Sequence, residues 1–152
     1  MEIRLDDPTR AEIAALLREH LDEMFAITPP ESVHALELDE LCRPDITFWA
    51  AWDGQALLGC GALSQLSAEH GEIKSMRTVG AHLRKGVASR VLEHMIAEAQ
   101  RRAYSRLSLE TGSMREFEAA RNFYRKFGFE YCESFADYVA DPNSIFMTLA
   151  LD

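Results

Sequence analysis

The 152-residue chain is 47% apolar and 27% charged, the balance of one globular domain over 1–152 rather than of a disordered segment. Its 25 acidic against 16 basic residues leave a formal net charge of −9, which argues against nucleic acid as a partner and suits a cationic acceptor such as an amine. The first seven residues carry Glu2, Arg4, Asp6 and Asp7, unlike a signal peptide, and no apolar run reaches the roughly 20 residues of a membrane span, so a cytoplasmic protein without a membrane partner is expected.

In chain order, a first strand is expected over 1–5. Asp7-Pro8-Thr9 then opens a helix, with Thr9 or Asp7 as its cap, and Ile13, Leu16, Leu17, Leu21 and Met24 recur at helical spacing until Thr28-Pro29-Pro30 ends it. A second, short helix is expected over 32–41, capped by Ser32 with Val33, Leu36 and Leu41 turned inward. Apolar runs at 46–52 and 56–63 flank Asp53-Gly54, a hairpin signal. Another strand is expected over 71–79, followed by a loop that runs from Arg84 into a long helix reaching Arg102. The buried stripe of that helix is Val87, Val91, Leu92, Met95, Ile96 and Ala99. A short strand over 106–109, a helix over 116–127 stopped by Gly128, and two strands over 129–135 and 145–151 around Asp141-Pro142-Asn143 complete the order β-α-α-β-β-β-α-β-α-β-β. This is an α/β (α+β) mixed sheet with helices on both faces, and the strand–helix successions at 71–99 and 105–131 predict crossovers and partly parallel pairing.

Cys42, Cys60 and Cys132 are odd in number, widely spaced and form no C-x-x-C pair, which speaks against a disulfide framework and a zinc site; Cys60 and Cys132 fall in apolar runs and read as buried thiols. The segment Val79-Gly80-Ala81-His82-Leu83-Arg84-Lys85-Gly86-Val87-Ala88-Ser89 has the elements of an anion site. A strand enters, Gly86 follows two cations, small Ala88 comes next, and a helix begins whose first N–H groups and positive dipole end lack partners. Gly86 lets backbone approach a diphosphate without a Cβ in the way. The spacing is neither that of a P-loop nor that of a dinucleotide fingerprint.

Strand, Arg84-Lys85-Gly86-Val87-Ala88 and long helix together resemble the acyl-CoA-binding motif Q/R-x-x-G-x-G/A of the GNAT N-acetyltransferase superfamily. Gly86 takes the glycine and Ala88 the last small residue, while Leu83 stands where the family has Gln or Arg. Ala120-Arg121-Asn122-Phe123-Tyr124-Arg125-Lys126-Phe127-Gly128-Phe129 resembles the second signature, A-x-x-x-Y-x-x-x-G-F, at the expected separation. The element order resembles the GNAT fold from end to end. Segments 71–77 and 135–142 further resemble small, single-domain bacterial members.

The resemblance implies transfer of an acetyl group from acetyl-CoA, a co-substrate, to an amine of a small molecule or peptide by direct attack in a ternary complex, with no metal. Tyr124 is then the general acid toward the coenzyme A sulfur, and Glu72 the general base, with His70 as a rival base of better intrinsic pKa. The cofactor would be held by Met76, Arg77 and Thr78 along a splayed strand, by Arg84, Lys85, Gly86, Val87 and Ala88 at the pyrophosphate, and by Tyr124. Phe117 stands seven residues before Tyr124, where many members have a cofactor-contacting Asn, and Asn122 points elsewhere on its helix. The acceptor site would draw on Phe25, His34, Glu37, Trp49, Tyr138 and Phe146, with Glu31, Glu37, Asp39 and Glu40 attracting an amine. The alternative within the same fold is a coenzyme A-binding sensor or interaction module without turnover. The acceptor's identity and a homodimer are left open.

Overall fold

In the computed structural model, which describes residues 1–151, the alternating apolar runs become the seven strands of one sheet. The elements are β1 (Glu2–Leu5), α1 (Ala11–Ile27), β2 (Ile46–Asp53), β3 (Ala56–Ser67), β4 (His70–Thr78), α2 (Val87–Arg101), β5 (Arg106–Gly112), α3 (Glu118–Lys126), β6 (Glu130–Cys132) and β7 (Ser144–Ala150). The strand order is β1-β2-β3-β4-β5-β7-β6, antiparallel everywhere except between β4 and β5. That parallel pair follows from the crossover through α2.

Each face of the sheet carries its own apolar cluster. On one face Ile13, Leu16 and Leu17 of α1 pack on Phe48, Ala50, Trp52, Cys60 and Ala62. On the other, Val87, Val91, Leu92, Met95 and Ala99 of α2 meet Trp49, Ala51, Leu63, Ile73, Leu107 and Leu109, with Tyr124 of α3 joining them. The strands of the centre are therefore apolar on both sides, the pattern of a sheet covered by helices on both faces. α3 ends in a Schellman motif: the N–H of Gly128 bonds to Arg125 O and that of Phe129 to Tyr124 O, with Gly128 at φ 97°.

The pairing of β4 positions the site. Between the pairs Cys60↔Arg77 and Ala62↔Lys74, β3 advances two residues and β4 three, and Ser75 sits at φ 53° in the resulting bulge. The extra residue reverses the alternation of β4, so Glu72 and Lys74 face the α1 side, Met76 packs toward the α2 cluster, and Arg77 returns to the α1 side. On the other edge of β4, pairing with β5 covers only His70↔Arg106, Gly71↔Leu107 and Glu72↔Ser108. From Ile73 onward the two central strands diverge and leave a gap in the sheet.

Some expectations are corrected. Residues 32–41 form no α-helix but an extended stretch between two short 3₁₀ turns, Pro30–Ser32 and Glu40–Cys42. Tertiary contacts claim the groups a helix would use: Ser32 Oγ donates to Asp141 Oδ2 at 2.5 Å, and His34 O accepts from Lys74 Nζ at 3.0 Å. Arg10 rather than Thr9 or Asp7 is the helix cap, because the Asp7 carboxylate is taken by the N–H and hydroxyl of Thr9 in the preceding turn. The strand expected over 129–135 shrinks to β6, since Phe135 leaves the sheet to pack on His70, Tyr138 and Phe146. β4 begins at His70, one residue before the expected start of that strand. Cys60 is buried and Cys132 only half-buried.

Candidate active site

The gap between β4 and β5 opens into a cavity of about 260 Å³. Ile73, Lys74, Ser75, Met76 and Arg77 form one wall, Leu109, Glu110, Thr111 and Gly112 the other. Tyr124 and Ala120 of α3 close it on the α2 side; Met24, Ile27 and His34 border it on the α1 side. The edge of β4 turned from β3 has no strand beside it here, so its N–H and C=O groups are available to an extended ligand, and leaving them buried and unpaired would be costly. Two side-chain atoms on this wall, Ser75 Oγ and Arg77 Nε, are buried without a hydrogen-bond partner, and His20 Nδ1 across from them is likewise orphaned. Burial, with the Arg77 charge second, lowers the His20 pKa to about 4, so this ring is neutral.

β4 leads directly to the loop before α2. Gly86 is the N-cap of α2 at φ 79°, a left-handed conformation that suits glycine, and no atom lies within 4 Å of where its Cβ would be. Among the described residues the N–H groups of Arg84 through Ser89 have no backbone acceptor, and the first helical bond runs from Arg90 N to Gly86 O. Arg84 and Lys85 are exposed, Arg84 itself at φ 63°. Val87 turns its side chain into the core, 3% exposed, so only its backbone belongs to the loop's outer surface. Leu83 exposes its side chain, and its N–H closes the 3₁₀ turn Gly80–His82 on Gly80 O. A diphosphate would meet N–H groups, a helix dipole and two exposed cations here, and the open β4 edge beyond suits a pantetheine arm; the residues present thus fit coenzyme A.

The sequence-nominated residues divide in two. Met76, Arg77 and Tyr124 line one cavity and Thr78 continues its wall. The Tyr124 hydroxyl has no hydrogen-bond partner among the described residues, and burial holds its pKa above the ordinary tyrosine range, so it is protonated at neutral pH. The Arg77 guanidinium is not at the cofactor track: Nη2 bonds Glu19 at 2.7 Å and Glu23 at 2.6 Å on α1. Glu72 belongs to the opposite side of β4. Its Oε2 accepts from the Tyr138 hydroxyl at 2.5 Å and from Lys74 Nζ at 3.4 Å, while Lys74 also donates to Tyr138 Oη at 2.8 Å. This knot is buried under His34 and the 136–142 segment, where a second hollow opens. His70 is engaged too, Nε2 to Ser108 Oγ at 2.7 Å, with burial lowering its pKa.

Among the acceptor candidates, His34, Tyr138 and Phe146 do cluster, ring against ring. Trp49 is misplaced by the expectation: it lies on the α2 face against His94, because strand alternation carries Phe48 and Ala50 to the α1 face instead. Phe25 is half exposed outside the cavity, whereas Met24 and Ile27 line it. Glu40 caps locally, accepting from Glu37 N at 3.0 Å. Asn122 is exposed on the outer side of α3, and Phe117 packs on Gly112. Several polar cavity residues, His20, Ser75 and Glu110 among them, have no counterpart in the sequence reading. Glu110, in Leu107-Ser108-Leu109-Glu110, alternates like a solvent-facing strand residue; that its strand is central and covered on both faces is the signal that marks it.

The acetyltransferase (GNAT) family matches residues 13–129 of the chain. YsnE of Bacillus subtilis (strain 168), an uncharacterized N-acetyltransferase, is 60% identical over 99% of this chain and 100% of its own length. The IAA acetyltransferase of Azospirillum brasilense is 33% identical over 95% of this chain and 94% of its own. Among solved structures, a Bacillus subtilis acetyltransferase in complex with CoA superposes with a TM-score of 0.73 at 18% identity, covering 99% of this chain and 98% of that one.

Proposed function

The chain belongs to the acetyltransferase (GNAT) family and transfers acetyl from acetyl-CoA to an amine, and we propose that it does so by direct attack in a ternary complex with Tyr124 as general acid. The observation that carries this reading is the divergence of β4 from β5 after Glu72↔Ser108, with Tyr124 facing the gap and the Gly86 loop at the end of the same strand. The N–H groups of Arg84 through Ala88 hold the pyrophosphate, Arg84 and Lys85 add charge, and the β4 edge over Met76, Arg77 and Thr78 pairs with the pantetheine. An N–H of that edge polarises the thioester carbonyl, which lowers the barrier as the oxyanion develops. Tyr124 gives its proton to the sulfur as the carbon–sulfur bond breaks.

The acceptor is a cationic amine of a small molecule or peptide. It enters from the α1 side, where Glu31, Asp45, Glu72, Asp137 and Asp141 outnumber Arg43 and Lys74 around the second hollow. No group of three or more His, Cys, Asp or Glu suited to a metal occurs among the described residues. No helix of the described residues is long and apolar enough to cross a membrane. The test is thiol release from acetyl-CoA with kanamycin, spermidine, lysine methyl ester and a short peptide. Turnover with one of these, and a roughly 100-fold lower kcat in Tyr124→Phe at a dissociation constant for acetyl-CoA changed less than about twofold, is expected. Tight binding of acetyl-CoA without turnover on any amine would make the protein a sensor instead.

A further inference from the structure

Resting on that reading, we infer that Glu110 is the general base that takes the proton the acceptor ammonium must lose, and that Glu72 is a positioning residue. Glu110 lies two residues past Ser108, the last β5 residue paired with β4. Strand alternation puts it on the face of Ser108, beside the start of the gap, and it lines the same cavity as Tyr124. On its other side β5 is pinned by the pair Glu110↔Phe146, so the carboxyl is held on a rigid strand rather than a loop.

The two carboxylates differ in how they are occupied. Glu72 is 5% exposed and its Oε2 already accepts from Tyr138 and Lys74, so a proton added there would break a buried knot. Glu110 has no ion-pair partner among the described residues. The charges facing it come from several elements: Glu72 and Lys74 of β4, and Asp141 and Tyr138 of the segment before β7. His34 closes the far side of Lys74, and His20, Glu23, Arg77 and Glu116 also line the cavity. Lys74 donates to Glu72, Tyr138 and His34 O rather than to Glu110, and its charge only partly offsets the burial of the Glu110 carboxyl. Burial first, and the Glu72 charge among the lesser causes, raise the Glu110 carboxyl to about 7. A base with that pKa is half ready at neutral pH and still strong enough to accept a proton from an ammonium through water.

The step balances. R–NH₃⁺ gives one proton to the Glu110 carboxylate, the freed lone pair attacks the thioester carbon, and the carbon–nitrogen bond forms. As the carbon–sulfur bond breaks the sulfur takes the Tyr124 proton, which the second nitrogen proton replaces, and Glu110 returns its proton to solvent.

The decisive experiment compares wild type, Glu110→Gln and Glu72→Gln by the pH dependence of kcat/KM for the best amine of the panel, beside carboxyl carbon-13 NMR titration without ligand. Wild type should lose activity on acidification with a midpoint near 7; Glu110→Gln should be at least 100-fold slower with that limb gone, and Glu72→Gln should keep the limb whatever its rate. The NMR signal missing from Glu110→Gln should titrate near 7. A Glu110→Gln enzyme within threefold of wild type, a limb that vanishes in Glu72→Gln alone, or a Glu110 midpoint below about 5 overturns the assignment. Binding of acetyl-CoA to both variants, read by calorimetry, separates this failure from failure of the acetyltransferase reading itself: an enzyme that turns over without Glu110 refutes only the base.

Discussion

At the scale of single residues the site is sorted by what each side chain is already bonded to. Glu72 and Glu110 are both strand carboxylates close to the same gap, but Glu72 is bonded to Lys74 and Tyr138 whereas Glu110 has no ion-pair partner among the described residues, and burial, against a weaker opposing hydrogen bond from Ser144, raises its pKa to about 7. The thermodynamic consequence follows from linkage. A carboxyl whose folded pKa lies above its unfolded value of about 4.5 binds its proton more tightly when folded, so its contribution to stability is complete below about 4.5 and is lost as pH rises through about 7. Urea unfolding of wild type and Glu110→Gln between pH 4.5 and 8 should show the wild type losing stability relative to the variant over that window; parallel profiles would place Glu110 in water. Tyr124 was legible from A-x-x-x-Y-x-x-x-G-F because that signature spans a single helix and its stop. Glu110 was not, since nothing within Leu107-Ser108-Leu109-Glu110 reveals that the polar face of the strand is covered.

At the scale of elements, β4 does most to shape the site, and its neighbour β3 enforces that shape. A Cβ on Gly59 would come within 2.7 Å of Arg77 O, a backbone atom of the bulged strand with no freedom to swing away. Gly59→Ala should therefore cost about 1–3 kcal/mol in urea unfolding. It should also weaken acetyl-CoA at least fivefold by calorimetry, because the displaced backbone is the wall proposed to pair with the cofactor. Lost stability with unchanged affinity would show that the wall tolerates the shift. The helices and strands with strong internal periodicity, α1, α2, β2 and β3, were readable from sequence to within a few residues. The segment over 32–41 was not. Its Ser32 and apolar spacing suit a helix, but Ser32 and His34 O gain more from Asp141 and Lys74, partners about 110 and 40 residues away. The bulge at Ser75 was equally silent, since nothing in Lys74-Ser75-Met76 requires a positive φ.

At the scale of the whole molecule, a sheet parted at its centre is an incomplete structure that a ligand completes. Acetyl-CoA at about 100 times its dissociation constant should add about 2.7 kcal/mol and raise Tm by roughly 5–10 °C for a chain of this length, read by differential scanning fluorimetry. Free acetate should not, and a flat response to acetyl-CoA would leave the gap as packing alone. The sequence by itself determined the element order, the two-faced sheet, the helix stop at Gly128 and the anion-ready start of α2, because each rests on periodicity or turn chemistry within a short stretch. Only the tertiary structure decided which carboxylate is bonded to Lys74 and Tyr138, where Arg77 goes and which aromatics gather around Tyr138. Those outcomes depend on the register of β4 against β3 and β5 and on contacts with distant segments, and it is the bonds of Glu72 to Tyr138 and Lys74, not residue type, that separate it from Glu110.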